Sequence, residues 1–135
     1  MFQITAYDHV GIRVTDAARS VAFYEKLGFR IVEELSNERV AEMVTASGIR
    51  INLIFNGMPR PGNRNILMDE PVKWPGHTHP AFIVDALVPL IEWAAREGVT
   101  ITEGPNDWGR RITLFFRDPD GNVLEFNELV QEPGQ

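Results

Sequence analysis

Residues 9–31, HVGIRVTDAARSVAFYEKLGFRI, and residues 79–101, HPAFIVDALVPLIEWAAREGVTI, are one pattern written twice. Each opens with a histidine, His9 or His79, and each carries a glycine nineteen residues later, Gly28 or Gly98. Each leads on to an apolar strand that starts at glycine, GIRINLIF from Gly48 and GNVLEFNE from Gly121. In these strands Asn52 and Glu125 hold matching places four residues after the glycine. Duplicated units usually pack as pseudo-symmetric halves around a shared centre. Such a centre would gather His9, His79 and Glu125, which is a set of metal ligands.

Working outward, the apolar periodicity gives both copies one order of elements. HVGIRV alternates as a strand does, and Asp16 stands where a helix N-cap would, ahead of a predicted helix over residues 17–27 that Gly28 stops. FRIVEEL, RVAEMVTA and IRINLIF follow as three predicted strands. The second copy repeats this with HPAFIV, a helix from about Leu87 to Glu97 stopped by Gly98, and then VTITE, ITLFFRD and NVLEFNE. Pro89 suits the first turn of that helix, where its missing N–H costs nothing. The fold class expected is α+β, one domain over residues 1–135, with a first module at about 7–55 and a second at about 79–129. Residues 56–78, rich in Pro, Gly and Asn, read as a linker or a substrate-facing loop.

Composition narrows the function. At 135 residues, 44% of them hydrophobic, the chain suits a single globular domain. A formal charge of −6 argues against nucleic-acid or anionic-membrane partners, and the pairs Arg60/Arg64 and Arg110/Arg111 are too small to reverse that balance. The chain has no cysteine, so a disulfide frame, a thiolate metal site and a catalytic thiol are all ruled out, and any metal must be held by nitrogen and oxygen. The N-terminus lacks a basic region followed by an apolar stretch. No segment approaches the ~20 apolar residues of a membrane span, so a cytoplasmic protein is the default expectation.

Two imidazoles and one carboxylate can occupy one face of a cation and leave about three positions of an octahedral site open to substrate or water. An open face means chemistry rather than scaffolding. Glu125 is the catalytic candidate as well as a ligand. In RDPDGNVLEF, Asp118 to Gly121 form a predicted tight turn that aims the next strand. Alternation then sets Val123, Glu125 and Asn127 on one face, with Leu124 and Phe126 packed beneath the helix. His77 competes with His79, but it falls in the turn-rich PGHT segment and breaks the nineteen-residue spacing.

The segments DHVGIRV, FYEKLGF, HPAFIVD and above all DPDGNVLEFNE resemble the vicinal oxygen chelate superfamily, the glyoxalase, bleomycin-resistance and dioxygenase group, over about residues 5–130. The resemblance implies two βαβββ modules forming a paired, partly open barrel-like sheet around a metal cleft. It also implies one divalent cation, Zn, Ni, Mn or Fe, on ligands that map onto His9, His79 and Glu125. The repeat arithmetic reaches the same three residues independently. Glyoxalase I carries a fourth ligand, a glutamate, where this chain has Asn52, and a neutral amide cannot easily serve as a base. Asn52, Trp74, Trp108 and Phe115 are the candidate substrate-binding residues, and Asn56 is a further candidate for the wall.

Three functions are then in view. The first is a metal-dependent lyase or isomerase acting on a small oxygenated compound that chelates the metal through adjacent oxygens. The second is an Fe(II) extradiol-type dioxygenase, and the third a metal-free binding protein of the bleomycin-resistance type. The expected partners are a small-molecule substrate and a second copy of the chain, since open sheet edges gain from being covered.

Overall fold

The structure, a computed structural model, describes residues 1–130. Two compact units divide the chain, one ending at Pro61 and the other beginning at Gly62. Unit 1 holds β1 (Val10–Arg13), α1 (Ala17–Lys26), β2 (Arg30–Ile31), β3 (Val40–Val44) and β4 (Arg50–Ile54). Unit 2 holds β5 (Ala81–Val84), α2 (Leu87–Glu97), β6 (Ile101–Asp107), β7 (Arg111–Arg117) and β8 (Val123–Leu129). The sheets run β1-β4-β3-β2 and β5-β8-β7-β6, the same order twice. In each, the first strand lies parallel to the last and the remaining pairs are antiparallel. The class is α+β, built of two βαβββ modules, and neither sheet closes into a barrel.

The repeat extends to single residues. Gly11 faces Asn52 across β1 and β4, and Ala81 faces Glu125 across β5 and β8. Asn52 and Glu125 therefore hold equivalent positions in their sheets, each opposite the residue two places after its module's histidine.

The helix limits follow from local chemistry. Asp16 has an extended backbone, and its Oδ1 accepts the Arg19 N–H at 3.0 Å, which satisfies one of the free donors of the first turn of α1. Gly98 takes φ 70° and closes α2 in the left-handed conformation that glycine adopts without penalty. The predicted strand FRIVEEL is shorter than expected, with only Arg30 and Ile31 paired to β3. From Val32 the chain enters a 3₁₀ turn over Glu33–Leu35, where the Ser36 hydroxyl donates to the Val32 carbonyl at 2.7 Å. Glu33, Glu34 and Leu35 are all exposed, so no buried face rewards continued alternation, and the serine supplies the carbonyl partner that a ladder would have given.

Each sheet covers one face with its helix. In unit 1, Ile12, Met43, Ile51 and Leu53 are buried with Tyr24 of α1, whose ring meets Phe29 edge-on at 6.0 Å. In unit 2, Leu114, Phe116, Leu124 and Phe126 are buried, Phe116 stacks on Phe126 at 4.5 Å, and Trp93 of α2 lies 5.8 Å from Phe116. Leu124 and Phe126 thus pack as their alternation predicts, which turns Glu125 to the other face.

The segment between the modules is tied to the β7–β8 turn. Asn63 Nδ2 donates to the Pro119 carbonyl at 2.9 Å and Asn65 Nδ2 to the Gly121 carbonyl at 3.2 Å, while Arg117 grips Asp69 with two bonds of 2.6 and 2.7 Å. The turn itself forms as predicted. Gly121 N–H donates to the Asp118 carbonyl at 3.0 Å, and Asp118 Oδ1 accepts from the Asp120 and Asn122 N–H groups, both at 2.9 Å.

Candidate metal and substrate site

In unit 2, β8 and the residues leading into β5 bring His79 and Glu125 together. His79 Nε2 lies 3.0 Å from Glu125 Oε1, and the two side chains are 22% and 18% exposed, partly shielded yet open to a ligand. The other His79 nitrogen, Nδ1, meets the Thr78 hydroxyl at 2.9 Å. Behind the carboxylate, Asn127 Nδ2 donates to Glu125 Oε2 at 2.7 Å. The Phe115 ring stands edge-on to the His79 imidazole at 5.3 Å and 73°, which limits the planes that the imidazole can adopt.

Unit 1 repeats half of this arrangement. His9 is exposed, and its Nδ1 meets Asp8 Oδ1 at 2.8 Å. An ionised carboxylate only accepts, so the neutral ring carries its proton on Nδ1 and leaves the Nε2 lone pair free. In both modules, then, the residue just before the histidine holds Nδ1 and presents Nε2. A polar group on the far nitrogen is the usual support of a metal-bound imidazole. Neither Asp8 nor Thr78 stands out in the sequence by composition. Their shared place one residue before each histidine is the signal that could have found them.

The donor set suits a cation. Two donors bound at about 2.1 Å on adjacent corners of an octahedron lie roughly 3 Å apart, and the His79–Glu125 spacing matches that edge. An ionised Glu125 only accepts, so without a metal His79 Nε2–H donates to Glu125 Oε1 and the Thr78 hydroxyl donates to Nδ1; a cation at this edge would take the place of the Nε2 proton, with Nδ1 then protonated toward the Thr78 oxygen. Among the described residues, no group of three or more His, Asp or Glu side chains is arranged to hold a metal. The structure thus joins His79 to Glu125 and leaves His9 with Asp8.

The other predicted residues are distributed as follows. Phe115 touches His79. Asn52 Oδ1 is buried and has no hydrogen-bond partner among the described residues. Trp74 and Trp108 stand 65% and 68% exposed, the latter in the β6–β7 turn with its backbone N–H donating to the Arg111 carbonyl. Asn56 accepts from Arg13 Nε at 2.9 Å, and His77 is exposed. Thr113 and Asn127 escaped prediction as site residues. Asn127 was legible as a neighbour of Glu125 on one strand face, whereas Thr113 comes from β7 and becomes visible only once the register is known.

Comparison with known proteins agrees with this architecture. The chain is 26% identical to virulence protein STM3117 of Salmonella typhimurium over 94% of its own length and 86% of that protein's. The crystal structure of STM3117 superposes with a TM-score of 0.67, covering 96% of this chain and all of that one. A glyoxalase/dioxygenase from Nostoc punctiforme, 19% identical over 97% and 99% of the two chains, shares the fold with a TM-score of 0.73. So does the antibiotic-binding protein TnmS3 from a Streptomyces species, 18% identical over 96% and 100%, with a TM-score of 0.70. The family model that matches spans residues 6–126, and on that match the chain belongs to the Glyoxalase/Bleomycin resistance protein/Dioxygenase superfamily.

Proposed function

We propose that this chain is a divalent-metal-dependent enzyme, a lyase or isomerase acting on a small oxygenated substrate whose adjacent oxygens bind the metal. One observation carries the reading: His79 Nε2 and Glu125 Oε1 stand 3.0 Å apart, each held from behind by a polar neighbour. His9, with Nδ1 held by Asp8, is the third donor, by its equivalence to His79 in the repeat. The cation, Zn, Ni, Mn or Fe, supplies Lewis acidity toward the substrate oxygens.

The protein side chains supply the rest. Glu125 is the carboxylate able to accept a substrate proton at Oε1. Phe115 fixes the plane of the His79 ring. An unpartnered buried acceptor costs on the order of 1–3 kcal/mol, so the Asn52 Oδ1 is suited to a hydrogen-bond donor on the substrate, an O–H or an N–H. Trp74 and Trp108 offer exposed indole faces to an apolar part of that substrate. The working form is a homodimer, because β5 is an edge strand on which Ile83 stands 68% exposed, a surface that a second copy would cover.

The test is metal content. Protein purified without added metal, then titrated with Ni²⁺ or Mn²⁺ and measured by elemental analysis, should bind one ion per chain. His9→Ala, His79→Ala and Glu125→Gln should each lose the ion while far-UV circular dichroism stays unchanged. Wild-type protein that takes up no ion under these conditions would leave metal-free small-molecule binding as the function.

A further inference from the structure

A line of hydrogen bonds in unit 2 runs from β7 through β8 to the residues leading into β5, and ends on the His79–Glu125 pair. Thr113 Oγ1 on β7 is 2.6 Å from Asn127 Oδ1 on β8, Asn127 Nδ2 is 2.7 Å from Glu125 Oε2, and Glu125 Oε1 is 3.0 Å from His79 Nε2. The register explains the contact, since Thr113 and Asn127 are direct cross-strand partners and Asn127 lies two residues beyond Glu125 on the same face. Thr113 is 5% exposed and Asn127 2% exposed, so water has little access to replace either bond.

Chemistry sets the direction of every bond in this line. An ionised Glu125 only accepts, so Asn127 must turn its NH₂ toward it. The carboxamide oxygen then faces Thr113, and the hydroxyl must donate. Three groups are locked in sequence by one ionised carboxylate at the end. A buried network of this kind holds its members in a single arrangement, and losing one member leaves another unsatisfied.

We infer that Asn127, itself oriented by the Thr113 hydroxyl, is a positioning residue that pins Glu125 Oε2 and so turns Oε1 toward His79 Nε2. The inference rests on the proposed cation site for its consequence, a tighter hold on the ion, but the carboxylate orientation itself can be tested without metal. Neither residue touches the proposed ion. Support of this indirect kind is commonly worth about 10–100-fold in metal affinity.

Two measurements separate the outcomes. Mn²⁺ binding, followed by loss of the free-ion electron paramagnetic resonance signal, should be abolished in Glu125→Gln and weakened about 10–100-fold in Asn127→Leu and in the isosteric Thr113→Val. Thr113→Ser, which keeps the donor, should restore binding to within a fewfold of wild type. Crystal structures of metal-free Thr113→Val and Asn127→Leu should show the Glu125 carboxylate rotated away from His79. If Glu125→Gln loses the ion while Thr113→Val and Asn127→Leu bind it as wild type does, the positioning role is wrong and the site stands. If no variant or wild type binds Mn²⁺, the site is wrong, and the crystal structures alone decide the positioning role: a carboxylate unmoved in both variants overturns it. Thr113→Val keeps the shape of the side chain nearly unchanged, so it remains informative should Asn127→Leu fail to fold.

Discussion

Arg117 donates two hydrogen bonds to Asp69, and together with the Asn65 N–H they hold the Asp69 carboxyl well below the usual carboxylate range. A carboxyl that is more acidic in the folded chain stabilises the fold at any pH above its unfolded value, ~3.9, and that contribution is lost as pH falls through the lower folded value. Asp69→Asn should therefore be less stable than wild type by a constant margin near neutrality, and the margin should shrink on acidification below about pH 4. Denaturant midpoints measured from pH 7 to pH 2 check this, and a margin that widens with acid would contradict it. At this scale the sequence was partly readable. The His79–Glu125 contact was legible through spacing, because a duplication copies position: His79 repeats His9, and Glu125 holds the place that Asn52 holds in the first copy. Asp69, Asn63 and Asn65 were not, since their partners lie 48 to 56 residues away and no local period records such a contact.

Among the elements, the β7–β8 turn decides where β8 points and hence where Glu125 stands. Gly121 has φ 84°, and a Cβ added there would collide with the Asn63 carbonyl oxygen of the segment packed against the turn. Both the backbone angle and the space demand glycine. Gly121→Ala should cost at least about 1 kcal/mol of unfolding free energy, measurable by urea denaturation, whereas alanine at Gly48, which also has positive φ but meets nothing within 4 Å, should cost less. Equal losses at the two positions would show that the packing against Asn63 is unimportant. Helices were the most legible elements, since Asp16 and Gly98 carry cap chemistry that is written in one or two residues. Strand ends were less so. FRIVEEL has the alternation of a strand, but Glu33, Glu34 and Leu35 are exposed and yield to the 3₁₀ turn that Ser36 favours.

For the molecule as a whole, the duplication is the strongest fact. The same strand order, the same cross-strand position for Asn52 and Glu125, and the same use of Nδ1 by the residue preceding each histidine all repeat between units. Among the described residues no helix is long and apolar enough to cross a membrane. The copies have diverged where chemistry is concerned: Glu125 is a paired carboxylate, and Asn52 is a neutral amide whose Oδ1 has no partner among the described residues. Fold class was legible because periodicity is a property of whole segments. Substrate was not, because the walls of a site depend on which loops approach it. The proposed metal site can be read most directly from the ring nitrogens of the three histidines in ¹⁵N-labelled protein as Zn²⁺ is added. The Nε2 resonances of His9 and His79 should move to metal-bound positions with the ring protons on their Nδ1 nitrogens, while His77 is unaffected. Movement of His77 instead, or no movement of any ring nitrogen in excess Zn²⁺, would contradict the account.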